Sequence, residues 1–377
     1  MQDDLIYDLW LSSVTNVSNM KKNTLLSVFK TAEAIYKASP EAIRKTGFFR
    51  EKDIQKIQDQ KDTNLAERAF VFIQKNQIVC IPKGSPSYPS RLEKIYNPPV
   101  LLYAMGNTGL LKRDLAIGMV GSRKSSADAV AIAKKFSQTL SEMGVTVVSG
   151  MANGIDSASA EGALTGIGST IAVLGSGIDV CYPAAQQKLY DQIREKGLLL
   201  SEFFIGQPPK AGHFPMRNRI IAGLSDGIVV VEARMKSGAL ITADHALDQG
   251  KNVYAIPQSI RVKSAEGSNQ LLKEGAKVVT QVEDILEDFV EIDQKRKEMI
   301  KNAAAPAAEK FKAPEEKLAL SEDEQIVMTA VTGGIDTVDG LVQRLDQPVS
   351  KLNAVLMMLE IKKILKVSYG KITLLHP

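Results

Sequence analysis

The chain has 377 residues, with 47 Lys and Arg against 43 Asp and Glu, so its formal net charge is +4. Hydrophobic residues make up 44% and charged residues 24%, which is typical of a folded globular protein and excludes a disordered chain. This length exceeds what one compact core usually fills, so we expect two or three domains. The weak positive charge neither requires nor excludes a nucleic-acid ligand, because the placement of the charges decides that.

The cysteine content and the N-terminal sequence bear on the compartment. Cys80 and Cys181 are far apart and offer neither a disulfide framework nor the spacing of a metal site, so we expect two buried thiols in a reducing environment. The start, MQDDLIYDLW, lacks the basic and apolar regions of a signal peptide. No apolar run approaches the roughly 20 residues that span a bilayer. These features predict a cytoplasmic protein without membrane insertion.

The pattern along the chain predicts an α/β domain between two smaller regions. Residues 1–80 have helical periodicity and predict a helical domain. From Asp114, six short apolar runs alternate with stretches long enough for helices, which predicts a doubly wound parallel sheet with helices on both faces. The Pro-, Gly- and Tyr-rich segment 79–107 predicts an irregular strand that packs onto this sheet. The α/β domain is therefore expected to cover residues 81–290.

The C-terminal part of the sequence predicts a linker and a small domain. Residues 291–316 are charged and rich in Ala and Pro, which predicts a solvated linker. Residues 317–377 predict three helices and a hairpin around Tyr369-Gly370, which is the element order of a winged helix. The segment Pro348–Glu360 at the place of a recognition helix holds one cation, Lys351. Base readout favours Arg, Asn or Gln, so we expect a protein contact there.

Candidate binding residues follow the predicted strands, because an open parallel sheet binds ligands at the carboxyl ends of its strands. Small and polar segments stand at five of these ends: GSR, SGMANGID, GSGID, SE and EARMKSG. Glycines let backbone N–H groups approach an anion, and helix N-termini add positive potential. The segment from Lys210 to Arg219 adds cations and contains no acidic residue. The sequence therefore predicts a phosphate-binding rim.

A structural role competes with a binding role for most of these residues. The competing roles are tight turns for Gly121 and Gly175, a helix N-cap for Asp156, hydrogen-bond acceptors for Glu202 and Glu232, core packing for Phe214, and surface charge for Arg217 and Arg219. The sequence alone leaves these alternatives open.

Several common sites do not fit the residues. The chain has no G-x-x-x-x-G-K-[ST] motif, which excludes a P-loop. Gly175-Ser176-Gly177 begins like a dinucleotide fingerprint, but the third glycine is absent. The three histidines, His213, His245 and His376, are scattered, which disfavours a histidine metal site or a Ser-His triad. We therefore expect no metal and no cofactor.

The motifs and their order closely resemble the DNA-processing protein A family, also called Smf. The runs that carry the resemblance are GSR, SGMANGID, LGSGIDVCYP and FPMRNRIIAGLSDGIVVVEARMKSGALITADHA, and it extends through residues 81–280. It implies a protein that binds single-stranded DNA entering the cell in natural transformation. Such a protein protects the strand and helps to load the RecA recombinase onto it, without catalysis.

The same resemblance implies an architecture and a set of DNA-binding residues. The architecture is an extended Rossmann-like domain that forms homodimers, flanked by a helical domain like a sterile alpha motif and by a winged-helix-like domain. Carried over by position, and with two further residues of the rim, the expected DNA-binding residues are Gly121, Ser122, Arg123, Lys188, Lys210, Phe214, Arg217, Asn218, Arg219, Lys236, Ser237 and Gly238. We expect Arg123→Ala or Arg217→Ala to weaken single-strand binding without unfolding the protein.

An enzyme of a related Rossmann-like fold is the alternative hypothesis. Phosphoribohydrolases cleave nucleotides at the same sheet edge with acidic residues and a Pro-Gly-Gly-x-Gly-Thr loop. This chain has EARMKSG, beginning at Glu232, in that place. The sequence therefore favours the DNA-binding protein.

Overall fold

The computed structural model describes residues 2–290, 321–345, 347–362, 364–368 and 371–374. The chain forms two compact units, Met1–Ile300 and Lys301–Pro377. The predicted linker 291–316 and the predicted turn at Tyr369-Gly370 lie outside the described residues.

Six short helices form the N-terminal part of the first unit. They are α1 (Gln2–Ser13), α2 (Asn19–Phe29), α3 (Ala32–Lys37), α4 (Pro40–Lys45), α5 (Glu51–Gln58) and α6 (Asn64–Lys75). Ser18, Thr31 and Ser39 are the N-cap residues of α2, α3 and α4. Each hydroxyl accepts a hydrogen bond from the N–H three residues later. The apolar faces enclose Trp10, whose ring lies edge-on to Tyr36 at 5.0 Å.

A nine-stranded sheet lies at the centre of the first unit. Its strands are β1 (Val79–Pro82), β2 (Leu101–Gly106), β3 (Ala116–Val120), β4 (Thr146–Ser149), β5 (Thr170–Val173), β6 (Leu198–Ser201), β7 (Gly227–Val230), β8 (Asn252–Ala255) and β9 (Lys277–Val278). Their order is β1-β2-β6-β5-β4-β3-β7-β8-β9. The seven strands β6, β5, β4, β3, β7, β8 and β9 are parallel to one another. The strand β2 is antiparallel to both of its neighbours, β1 and β6. The six predicted parallel strands are confirmed, and segment 79–107 supplies two regular strands instead of one irregular strand.

Helices cover both faces of this sheet. They are α7 (Ser90–Glu93), α8 (Ala127–Glu142), α9 (Ile155–Ala163), α10 (Gln187–Lys196), α11 (His213–Leu224), α12 (Gly238–Asp248), α13 (Glu266–Lys273) and α14 (Glu283–Leu286). The helices α8 to α10 connect β3 to β6, and α11 to α13 return the chain from β6 to β9 through β7. Separate apolar clusters pack α8 and α9 on one face and α11 and α12 on the other. The neighbouring strands β3 and β7 therefore form the topological switch point.

The N-terminal helices share a core with the sheet. Leu9 and Trp10 of α1 belong to the same buried cluster as Leu101 and Tyr103 of β2. The hydroxyl of Tyr103 also donates a hydrogen bond to Ser12 Oγ at 3.0 Å. One continuous apolar core thus joins residues 1–80 to the sheet, which is why they form one compact unit.

Two further expectations concern the thiols and the membrane. Cys80 and Cys181 are free, and both are half-buried, so they are less enclosed than predicted. Throughout the described parts of the chain, the helices lack the length and apolar character needed to cross a membrane.

The second unit has its own small core. It consists of α15 (Glu322–Thr332), α16 (Val338–Leu345), α17 (Val349–Ile361) and the antiparallel strands β10 (Leu365–Ser368) and β11 (Lys371–Leu374). Leu341, Leu356 and Leu359 are buried at its centre. Ser321 and Glu324 form a capping box at the start of α15. Its assignment as a winged-helix-like domain stays a prediction.

Candidate functional site: a basic cleft at the switch point

A cleft of about 730 Å³ opens at the carboxyl ends of β3 and β7. Its walls are the loops that follow these strands and the first turns of α9, α11 and α12. Nine of the predicted DNA-binding residues line it: Gly121, Ser122, Arg123, Phe214, Arg217, Asn218, Lys236, Ser237 and Gly238. Lys124, Arg234 and Tyr182 also line the cleft and add two cations and an aromatic ring.

Exposed cations surround the mouth of the cleft. Arg123 and Lys124 follow β3, and Arg234 and Lys236 follow β7, and all four side chains are exposed. Among the described residues that line the cleft, Asp156 is the single acidic side chain, and it is buried. The accessible charge of the cleft is therefore positive.

Arg217 gives the floor of the cleft a buried positive charge. Arg217 is only 3% exposed to solvent. Nη1 donates hydrogen bonds to the carbonyls of Gly150, at 2.8 Å, and Val173, and Nε donates to Asn218 Oδ1 at 3.2 Å. Burial lowers the pKa of Arg217 to about 10, against the effect of the nearby Asp156 carboxylate. The guanidinium therefore stays charged at neutral pH.

Two glycines are needed to seat the side chains of α11. A Cβ atom at Gly150 would lie 2.5 Å from Nη1 of Arg217, and one at Gly175 would lie 2.8 Å from Cδ1 of Phe214. Both contacts are too short for a carbon atom. The glycine-rich loops after β4 and β5 therefore position a guanidinium and an aromatic ring, which is a close-approach role for glycine.

An aromatic pair lies beside the cations. The ring of Phe214 lies 5.5 Å from that of Tyr182, at an interplanar angle of 37°. The guanidinium carbon of Arg123 lies 4.9 Å from the centre of the Phe214 ring. Phe214 is half-buried, and Tyr182 is 42% exposed. A planar group that enters the cleft meets two rings and a guanidinium, all of which favour stacking.

Three of the predicted residues do not line the cleft. Arg219 is buried, and its Nη1 pairs with Glu202 Oε1 at 2.5 Å. Residues two apart on a helix point about 200° apart, so Arg217 and Arg219 of α11 face opposite directions. Lys188 lies in a separate groove beside α10. Lys210 is exposed between Pro209 and Ala211, which do line the cleft.

The predicted acceptor roles of the two glutamates are confirmed. Glu202 accepts both hydrogen bonds from Arg219. Glu232 is fully buried and accepts a hydrogen bond from Ser126 Oγ at 2.6 Å and one from Ser126 N–H at 3.1 Å. It therefore fixes the residue that begins α8.

The predicted DNA-binding residues do not include the cleft residues Lys124, Arg234 and Tyr182. The signal for Lys124 and Arg234 is their place on the same loops as Arg123 and Lys236. Tyr182 has no comparable signal. Its proximity to Phe214 depends on how the loop after β5 folds back toward α11.

The comparisons with known proteins identify the family of the domain that contains the cleft. Residues 79–290, which include every cleft residue, match the family model of DNA recombination-mediator protein A. The chain belongs to this family. DNA processing protein DprA of Streptococcus pneumoniae is 46% identical over 202 residues, which are 54% of this chain and 71% of that protein. Protein Smf of Synechocystis is 39% identical over 279 residues, which are 72% of this chain and 69% of that protein.

Solved structures of the DNA recombination-mediator protein A family have the same fold. DprA of Streptococcus pneumoniae has a TM-score of 0.67 and 35% identity, over 75% of this chain and 97% of that chain. DprA of Helicobacter pylori has a TM-score of 0.52 and 28% identity, over 57% of this chain and 96% of that chain. The latter structure was described for its single-stranded DNA binding mode.

Proposed function

We propose that this member of the DNA recombination-mediator protein A family binds single-stranded DNA in the cleft between β3 and β7. The observation that carries the proposal is the composition of the cleft. It joins four exposed cations and the buried Arg217 to an aromatic pair, and the one acidic side chain among its described lining residues is buried.

The cations of the cleft are suited to bind the phosphate groups of DNA. Arg123, Lys124, Arg234 and Lys236 surround the mouth, and α11 and α12 begin at the cleft, where their N-termini add positive potential. Phosphate contacts of this kind release counterions, so the affinity falls with salt and does not depend on the base sequence.

Unpaired bases account for the aromatic pair. Each base that stacks on an aromatic side chain contributes roughly 1–3 kcal/mol, whatever its identity. The bases of a duplex are already stacked on one another and must be pulled apart to reach Phe214 or Tyr182. The cleft therefore favours single strands over duplexes.

The environment of Glu232 supports binding without catalysis. The phosphoribohydrolase alternative needs an accessible acidic residue at this edge of the sheet. Glu232 is fully buried and is occupied by two hydrogen bonds from Ser126. An assay for release of the base from a nucleoside monophosphate tests the alternative. Release by the original chain that is lost in Glu232→Gln would favour the enzyme.

The further steps of the proposed function rest on the family resemblance. We propose that the protein acts in natural transformation in the cytoplasm, protects the incoming strand, helps to load RecA onto it and works as a homodimer. The open edge of the sheet supports the homodimer, because the edge strand β9 carries the apolar residue Val278, which is 51% exposed.

A salt titration tests the cleft. Fluorescence anisotropy of labelled oligo(dT) at several salt concentrations measures the affinity and its salt slope. We expect Arg123→Ala to weaken binding and to reduce the slope by about 0.7, the share of one phosphate contact to a single strand. Phe214→Leu is expected to weaken binding by roughly 1–3 kcal/mol with an unchanged slope, because it removes stacking and no charge.

Lys135→Ala is the matched control, since Lys135 is an exposed cation of α8 outside the cleft. It should leave the affinity near that of the unsubstituted protein. If both cleft variants bind oligo(dT) as tightly as the control, the cleft is not the DNA site.

A further inference from the structure

A second groove, which we call the α9–α10 groove, lies next to the cleft. It has a volume of about 570 Å³ and lies between α9 and α10, with one residue contributed by α8. Its polar lining is rich in lysine and glutamine: Lys134, Glu161, Thr165, Gln186, Lys188, Gln192 and Lys196. The apolar residues Leu164 and Leu189 complete it.

Two lysines of this groove are available for a ligand. Glu161 is the one acidic residue among the described residues that line it, and Lys134 already binds its carboxylate at 3.0 Å. Lys188 and Lys196 are exposed. The groove therefore has an excess of positive charge, located on α10.

The spacing on α10 is regular. Lys188, Gln192 and Lys196 follow one another at four-residue intervals, so they share one face of the helix and are about 6 Å apart along its axis. A line of donors with this spacing suits the repeating phosphates of an extended chain, and a basic groove that follows the backbone is the usual device for binding single strands.

The groove begins where the cleft ends. Ala152 and Tyr182 line the cleft, whereas Ala185 and Gln186 line the groove. A hydrogen bond of 3.1 Å from Gln186 Nε2 to Asn153 Oδ1 joins the segments that carry these residues. Only a few residues of either segment separate the two surfaces, so a chain that passes over Tyr182 reaches the groove directly.

We propose that a single strand too long for the cleft continues past Tyr182 into the α9–α10 groove, where Lys188 and Lys196 bind its phosphates. This rests on the proposed function of the cleft and extends it to a longer binding track. It assigns Lys188 a phosphate contact outside the cleft and adds Lys196 as a residue of the same track.

The test compares a short and a long strand. Oligo(dT) of about 6 and about 15 nucleotides, within the range of known single-strand site sizes, is titrated with the full chain at several salt concentrations. For Lys188→Ala/Lys196→Ala we expect the ratio of long-strand to short-strand affinity to fall. The salt slope for the long strand should drop by about 1.4, because each phosphate contact contributes about 0.7.

The control removes the same charge elsewhere. Lys135→Ala/Lys273→Ala changes two exposed lysines that line neither surface. The proposal is overturned if this control lowers the long-strand affinity as much as the groove variant, or if the groove variant has the same effect on both strands or none. Arg123→Ala keeps the two proposals apart: if it leaves short-strand binding intact, it is the cleft that fails.

Discussion

At the residue scale, the floor of the cleft contains one buried guanidinium, Arg217, which the fold holds in place before any ligand arrives. Arg217 is held by two backbone carbonyls and by Asn218, and Gly150 leaves the space that the guanidinium occupies. Removing a charge from water is unfavourable unless hydrogen bonds and a nearby opposite charge offset it. Asp156 supplies that opposite charge. Arg217 is therefore part of the folded framework as well as of the cleft floor.

This burial changes what is expected of an Arg217 variant. Arg217→Met removes the side-chain donor to the carbonyls of Gly150 and Val173 and one of the two cations whose charge acts on Asp156. We expect the free energy of unfolding to fall by about 3–5 kcal/mol, the usual cost of removing one partner of a buried charge pair. Urea unfolding followed by circular dichroism measures this change.

Two further variants separate this effect from the charge of the cleft. Arg123→Ala, at an exposed position, should weaken DNA binding with stability unchanged. Gly150→Ala keeps Arg217 but displaces its guanidinium, so it should reproduce part of the loss of stability. An Arg217→Met protein as stable as the original chain would refute the framework role.

At the element scale, the sequence predicts the centre of the sheet better than its edges. The six central strands are continuous apolar runs, because both faces of a parallel sheet are covered by helices. The edge strand β1 and its neighbour β2 lie in the Pro-rich segment 79–107, where the turn residues between them obscure the pattern. The site follows the same rule. The motifs predict which loops meet at the switch point, but only the helical turn of α11 separates Arg217 from Arg219.

The placement of α11 depends on both of its ends. Its first two turns carry Phe214 and Arg217 into the cleft, and its other end is held by Lys251. The ammonium of Lys251 donates hydrogen bonds to the carbonyls of Ala222, Gly223 and Ser225 at 2.7, 2.7 and 2.6 Å. The last carbonyls of a helix lack partners in a following turn, although Ala222 also accepts a hydrogen bond from the N–H of Ser225 at 3.2 Å. A cation at this end also complements the helix dipole. Lys251 thus helps to position the cleft by holding the end of α11 that lies away from it.

A substitution in the edge strand β9 tests the proposed homodimer. We expect Val278→Asp to shift the protein from dimer to monomer, because a carboxylate at the exposed edge opposes apolar association. Light scattering after size-exclusion chromatography measures the mass. The free energy of unfolding of each subunit fold should change little, since the side chain is half exposed. Long single strands should also bind more weakly, because two linked clefts bind one strand with higher avidity.

Val71→Asp is the control, because Val71 is an exposed apolar residue of α6 on a different surface. It should leave the mass unchanged. A Val278→Asp protein that elutes with the same mass as the control places any self-association elsewhere.

At the scale of the whole first unit, the helices of residues 1–80 are part of the same core as the sheet, and this contact contains a titratable group. Asp8 of α1 is half-buried, and burial, with a smaller effect from Asp4, raises its pKa to about 6. Burial likewise raises the pKa of Cys80 to about 12, and the charge of Asp8 adds to that shift. The sequence does not reveal this cluster, because it forms only when α1 packs against β1 and β2.

The raised pKa of Asp8 predicts a pH dependence of stability. The folded protein binds the proton of Asp8 more tightly than the unfolded chain, whose ordinary value is 3.8. This contribution to stability is therefore complete below about pH 4 and is lost as the pH rises through about 6. Asp8→Asn should raise the free energy of unfolding at pH 7 by at most about 3 kcal/mol, since one pKa unit corresponds to about 1.4 kcal/mol. At pH 4 the variant and the original chain should be nearly equally stable.

Urea unfolding of both proteins between pH 4 and 7 measures this difference directly, because the titration of all other groups cancels in the comparison. Asp248→Asn serves as the control, since Asp248 is exposed on α12, away from the N-terminal helices. Its difference from the original chain should stay small and constant. If the difference in unfolding free energy between Asp8→Asn and the original chain is also independent of pH, burial does not raise the pKa of Asp8, and the prediction is wrong.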